Sequence, residues 1–230
     1  MAEPFDQPLG QVGCQSGLRN RLPLYRMRMS WPSRGLAHMC KETDMPGREC
    51  GSCSLCCKVL DVPAVYKPAG QWCRHFRAGS GCDIHQLRPK PCREFSCLWL
   101  AEDWLGDEWK PSTAKFVMAW EYDGACLTIY PDPKAPNSWK LEPYYSVLKQ
   151  LAARHLAENR LVMVVETSRR MLVLPDQDVV VGTRDDIFEW QITPKDDGSG
   201  QFDVVFDPVS DGRKGGATRF DQAPSQPQAG

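Results

Sequence analysis

Eight cysteines crowd into the segment from Cys50 to Cys97, and no other feature limits the fold of this chain as tightly. They are Cys50, Cys53, Cys56, Cys57, Cys73, Cys82, Cys92 and Cys97, spaced C-x2-C-x2-C-C-x15-C-x8-C-x9-C-x4-C. The other three of the eleven, Cys14, Cys40 and Cys126, are scattered. In a secreted protein such a segment would be a disulfide framework; in a reducing compartment the same thiols would gather around metal. A secretory signal needs an unbroken apolar stretch near the start, and Arg19, Arg21, Arg26 and Arg28 interrupt every such run. The expectation is therefore a cytoplasmic setting, with the eight thiols as metal ligands. The C-x2-C spacing suits this, since two thiolates three positions apart can close on one ion.

Two local geometries would bring the first four sulfurs together. In a helix turning about 100° per residue, Cys50, Cys53 and Cys57 share a stripe with Cys56 beside it. In a tight loop, Gly51 would let the backbone fold around an ion. In either case the adjacent Cys56 and Cys57 point in two directions, so the pair can bridge two sites or supply one ligand to each. The charge around them fits thiolates. From Arg48 to Cys97 there are eight basic residues (Arg48, Lys58, Lys67, Arg74, Arg77, Arg88, Lys90, Arg93) against four acids, a formal +4 with thiols neutral. The segment as a whole reads as compensation for thiolate charge.

The motifs Cys50-Gly-Ser-Cys53-Ser-Leu-Cys56-Cys57, Trp72-Cys73-Arg74-His75, Gly81-Cys82-Asp83-Ile84-His85, Arg88-Pro89 and Pro91-Cys92-Arg93-Glu94-Phe95-Ser96-Cys97 resemble the YkgJ-type cysteine-cluster family. That family is mainly bacterial and is described as zinc- or iron-chelating, with a CxxCxxCC signature. The resemblance implies that all eight clustered cysteines are ligands. It also touches the flagellin lysine methylases, which carry a related cluster, and so implies an iron–sulfur enzyme as one alternative. This chain is shorter than those enzymes and has no glycine-rich loop assignable to S-adenosylmethionine.

Eight thiolates divide as two closed four-cysteine zinc sites, or as one four-cysteine iron–sulfur cluster beside a structural site. Cys50, Cys53 and Cys56 reproduce the first two spacings of bacterial ferredoxins, and Cys57 departs from the third. Thiolates suit zinc and iron–sulfur sites alike, so the cofactor is read as zinc or iron, the iron–sulfur form included. His75 and His85, each two or three residues after a cluster cysteine, are the secondary ligand candidates; His38 and His155 have weaker claims. Cys126 reads as a small buried hydrophobe.

The 230-residue chain as a whole is nearly neutral, with a formal charge of −1, and lacks the basic excess of a dedicated nucleic-acid binder. It has no apolar run long enough to span a membrane. The predicted organisation is a disordered extension over 1–47, a cysteine-cluster metal-binding module over 48–110, an α+β domain over 111–207 and a disordered tail over 208–230. Between Gln7 and Lys41 no acid occurs, as in a basic arm or a start placed too early. Phe95, Trp99, Trp104 and Trp109 are interleaved with acids, which favours core packing over base stacking.

Lys115–Tyr122 alternates, Asp123-Gly124 supplies the dipeptide of two-residue hairpins, and Ala125–Tyr130 returns. Pro143 to Glu158 predicts a helix with Tyr144, Leu148, Leu151 and His155 on one face. Further strands are expected at 161–166, 171–174, 179–181, 187–192 and 201–206. The fold class is α+β, a metal-stapled cysteine-rich module joined to a small antiparallel sheet with one main helix. Three functions stay open: a protein that binds zinc or iron, an iron–sulfur enzyme, and a zinc-stapled module for a protein or nucleic-acid partner. Closed four-thiol sites are structural by default, which favours the first.

Overall fold

The computed structural model of the chain describes residues 25–29, 47–183, 188–195 and 198–208. The predicted tail from residue 209 and most of the predicted extension lie outside these. In chain order the elements are β1 (Tyr25–Met29), α1 (Cys56–Val59), β2 (Phe76–Arg77), β3 (Gly81–Cys82), α2 (Lys90–Glu94), α3 (Leu98–Ala101), α4 (Pro111–Ala114), β4 (Phe116–Glu121), β5 (Cys126–Pro131), α5 (Tyr144–Ala157), β6 (Leu161–Val165), β7 (Arg170–Val173), β8 (Asp178–Gly182), β9 (Phe188–Pro194) and β10 (Phe202–Pro208). The class is mixed α and β, with several small sheets and one main helix. Among the described residues no helix is long and apolar enough to cross a membrane.

The main sheet runs β4-β5-β6-β7-β8. Contrary to the antiparallel expectation it is mixed, because β5 and β6 pair parallel from Cys126↔Leu161 to Ile129↔Val164. The reason is α5, which carries the chain back to the end of the sheet where β5 began, as a parallel pair requires. The helix forms where its periodicity placed it. Tyr144, Leu148, Ala152, His155 and Leu156 are buried at helical spacing, whereas Leu151 is only half-buried. Asn159 ends it in a left-handed conformation (φ 57°), with Arg160 N–H donating to the His155 carbonyl (2.8 Å) and Asn159 N–H to that of Leu156 (3.1 Å). Those are the paired bonds that satisfy carbonyls at a helix end.

The hairpin joining β4 to β5 also differs from expectation. Glu121 pairs with Cys126, so the loop holds four residues, and Tyr122, Asp123 and Gly124 all take positive φ. Register places Phe116, Met118, Trp120, Leu127 and Ile129 on one face and Val117, Ala119, Glu121, Thr128 and Tyr130 on the other. Both faces are buried, because α5 covers the first and the cysteine segment reaches the second. On the α5 side His155 meets Trp120 edge-on (5.0 Å) and Tyr144 meets Phe116 (5.1 Å). On the other, Glu121 is buried yet hydrogen-bonded by Tyr130 and Thr128 hydroxyls, which offsets its desolvation.

A three-stranded antiparallel sheet, β1-β9-β10, stands beside this core. Five residues of the segment expected to lack structure, Tyr25–Met29, are its edge strand; their Y-R-M-R-M alternation has the period of a strand. Gln177 holds β10 by donating to the Phe202 carbonyl at 2.6 Å. One hydrophobic core runs continuously from Leu55 to Ile192, so the cysteine segment and the main sheet share it. Trp99 and Trp109 are inside as expected, while Trp104 is 43% exposed.

Candidate metal centre

Cys50 to Cys53 is a turn, closed by Cys53 N–H donating to the Cys50 carbonyl (2.8 Å), with Gly51 at φ 51°. Of the two geometries open for this stretch, the loop is the one formed, and helix begins only at Cys56. The Cys57 carbonyl then accepts the Cys73 N–H (2.9 Å). Cys73 leads into the β2–β3 hairpin, where Phe76 pairs with Cys82. Cys92 lies in α2, and Cys97 stands at the N-terminal boundary of α3.

All eight clustered cysteines line one cavity of about 520 Å³. Its apolar floor includes Leu60, Leu100 and Val117, the last from β4. No disulfide joins any pair of the described cysteines. The cavity brings together the whole predicted ligand set from segments up to 47 positions apart in sequence. The sulfurs surround it without closing on a point. Among the described residues no three His, Cys, Asp or Glu side chains meet closely enough to hold an ion. The donor chemistry suits the metal staple of the expected fold. Thiolates repel one another until a cation lies among them. Cys56, Cys57, Cys82 and Cys92 lie in short helices or a two-residue strand, the other four at the edges of turns or of α3, and none is in the main sheet.

The thiols perturb one another in a definite pattern. Cys56 is pushed well up, first by donating its proton to Cys57, then by burial and by Cys50 and Cys97. Cys57 is held at about 7 by that same hydrogen bond, against burial, with help from Lys67 and Arg88. Burial lifts Cys97 to about 11; Cys50 and Cys53 add to the rise, while the N–H groups of Leu100 and Trp99 oppose it. Burial also raises Cys92, aided by Cys57, Cys73 and Cys82 and opposed by Arg88.

The eight basic residues do not act as one compensating field. Arg48 is spent on backbone, donating to the carbonyls of Trp99 (2.6 Å), Glu102 (2.7 Å) and Leu105 (2.6 Å) around the end of α3. Lys58 is buried in an ion pair with Asp132, just past β5. Arg77 pairs with Asp83 (3.0 Å) and Lys90 with Glu94 (3.6 Å). Lys67 and Arg88 are the cations that bear on thiols. Lys67 is 3% exposed, its amine donating to the carbonyls of Lys58 and Leu60, and burial brings it down to about 8. Nothing in the spacing marked Lys67 as buried, and its neighbours Pro63, Ala64 and Tyr66 are exposed.

Both secondary candidates line the cavity: His75 is half-buried and accepts from Arg74 Nε (3.2 Å), and His85 is exposed. His155 lies under α5 against Trp120, and His38 is outside the described residues. Cys126 is fully buried in β5, as a core residue would be, and burial pushes its thiol up to about 12.

No family model, curated protein or solved structure matches this chain. The likeness to the cysteine-cluster family stands on the motif residues alone.

Proposed function

We propose that this chain is a metal-binding protein whose clustered thiols take up zinc or iron. One observation carries this: eight cysteines from five short elements and turns line a single cavity with no disulfide among them. Thiolate sulfur is the donor that zinc, iron and iron–sulfur clusters prefer. Lys67 and Arg88 supply positive charge beside Cys57, which favours its deprotonated, ligating form. The motif resemblance points the same way. Bound zinc would fill its coordination with sulfur and act as a structural ion. Bound metal would then tie the first turn, α1, the β2–β3 hairpin, α2 and the start of α3 to one another around the cavity.

A second form of this reading, an iron–sulfur protein, is favoured by Cys97. Cys50, Cys53 and Cys56 keep ferredoxin spacing, and Cys97, lining the same cavity, would be the remote fourth thiol. Purification without oxygen, followed by elemental analysis and an absorption spectrum, tests both forms. The expected result is one or two metal equivalents per chain, colourless for zinc and brown for iron–sulfur. A folded chain free of zinc and iron would overturn the proposal.

A further inference from the structure

We propose that the Cys50–Cys53 turn is an oxidation-sensitive gate on the cavity. A low-molecular-weight disulfide such as glutathione disulfide oxidises these two thiols, before any other pair of the cluster, to a Cys50–Cys53 bridge, and the bridge expels bound metal. The bridge stands on the geometry of the turn; the metal release rests on the metal-binding reading above.

The turn suits such a bond in both shape and access. Cys53 N–H donates to the Cys50 carbonyl (2.8 Å), so the two residues are the first and fourth of a closed reverse turn. Those positions have Cα atoms less than about 7 Å apart, and a disulfide spans about 4.4–6.8 Å. Gly51, at φ 51°, supplies the left-handed residue that closes the turn, and nothing lies within 4 Å of where its Cβ would stand. Gly51 and Ser52 are exposed, Cys53 is half-buried, and Cys50 is the one exposed cysteine among the described residues. An oxidant therefore meets this pair first, since thiol oxidation follows exposure.

The other pairs fail on shape or on access. Cys56 and Cys57 are neighbours in α1, and a trans peptide holds their Cα atoms about 3.8 Å apart, too close for an ordinary bridge. Cys53 and Cys56 repeat the C-x2-C spacing, yet the next turn closes one residue later, with Cys57 N–H on the Ser54 carbonyl (2.9 Å), and it wraps the buried Leu55. Cys82 faces Phe76 across the β2–β3 hairpin, three residues beyond Cys73. Cys92 is held in α2, and Cys97 is buried. The chemistry is thiol–disulfide exchange. The Cys50 thiolate attacks one sulfur of glutathione disulfide and releases one glutathione; Cys53 then attacks Cys50 Sγ and releases the second. Two electrons pass from the cysteine pair to the oxidant, both thiol protons end on the two glutathiones, and zinc stays zinc(II). With only two residues between the cysteines the second step is intramolecular, which favours it over a second glutathione adduct. Because only the thiolate is a metal ligand, the cavity then loses two of its eight sulfur donors.

The full chain, reduced and loaded with zinc(II) without oxygen, is titrated with glutathione disulfide. Remaining thiols are alkylated, and fragment sequencing locates the bridges while a chromophoric chelator reads released zinc. The first bridge should be Cys50–Cys53, with at least one zinc equivalent released in step with it and recovered by the protein after dithiothreitol. The Cys53→Ser variant should stop at a Cys50–glutathione mixed disulfide. A first bridge between any other two cysteines, or a Cys50–Cys53 bridge formed with all zinc retained, would overturn the gate while leaving metal binding intact. A chain that forms the bridge but never takes up zinc fails the metal-binding reading, and the gate with it. If Cys53→Ser does not fold, the order of bridges in the wild type decides.

Discussion

Replacing Asp132 with asparagine tests how the cysteine segment is fastened to the sheet. The side chains of Lys58 and Asp132 are only 6% and 14% exposed, so the ammonium sits in the joint between α1 and the end of β5 with its counter-ion beside it. Asparagine keeps the size of the side chain and an acceptor for the Lys134 N–H, which donates to Asp132 Oδ1 at 2.8 Å. What it removes is the negative charge. Stripping one partner from a buried ion pair costs about 3–5 kcal/mol, because the other charge stays desolvated. A neutral hydrogen bond from Lys58 to the amide oxygen returns about 1 kcal/mol. The net loss is then about 2–4 kcal/mol, or a fall of roughly 1 M or more in the urea midpoint at a slope near 2 kcal/mol/M. Tryptophan fluorescence at fixed metal loading reads the transition. The double variant Lys58→Met/Asp132→Asn should recover part of the loss, since no charge is left buried. An unchanged midpoint for Asp132→Asn, or strictly additive single effects, would refute this account of the joint.

Two further outcomes follow from groups away from the cavity. His155 is buried with Nδ1 lacking a hydrogen bond, and burial lowers its pKa; Glu158 (3.7 Å) opposes the shift, whereas Arg160 and Arg154 reinforce it. The unfolded chain therefore binds the proton more readily, and stability should fall as pH drops through about 6.5. A His155→Gln variant should flatten that part of the profile of urea midpoint against pH, and a parallel profile would contradict the burial argument. Cys126, pushed up to about 12 inside β5, should resist iodoacetamide at pH 8 while the chain is folded. Peptide mapping that finds it labelled before unfolding would show that the strand is open.

Local features were readable along the chain because their causes are local. The alternation of 115–122, the periodicity of Tyr144–Ala157 and the turn allowed by Gly51 depend on neighbours a few positions away. Expectation failed where a distant partner decided the outcome. Asp123-Gly124 was compatible with a two-residue loop, but pairing Glu121 with Cys126 left four residues to turn. The antiparallel sheet became mixed once α5 returned the chain, and Tyr25–Met29 found its partner in β9, more than 150 residues away. The basic excess was visible as a number, yet Arg48 and Lys58 went to carbonyls and to Asp132 instead of to thiols.

The amino-acid order alone determined that eight thiols would stand in one stretch and that the first would lie in a tight turn or helix. Covalent connectivity and backbone sterics are sufficient causes for those facts. Only the folded chain decided that all eight thiols line one cavity, with the Cys57 carbonyl bonded to Cys73 and Cys82 paired with Phe76. That choice belongs to packing. Arg48 on the carbonyls of α3, Lys58 on Asp132 and the shared core beneath α1 and β4 set where distant loops can rest, and spacing carries no record of contacts that burial selects.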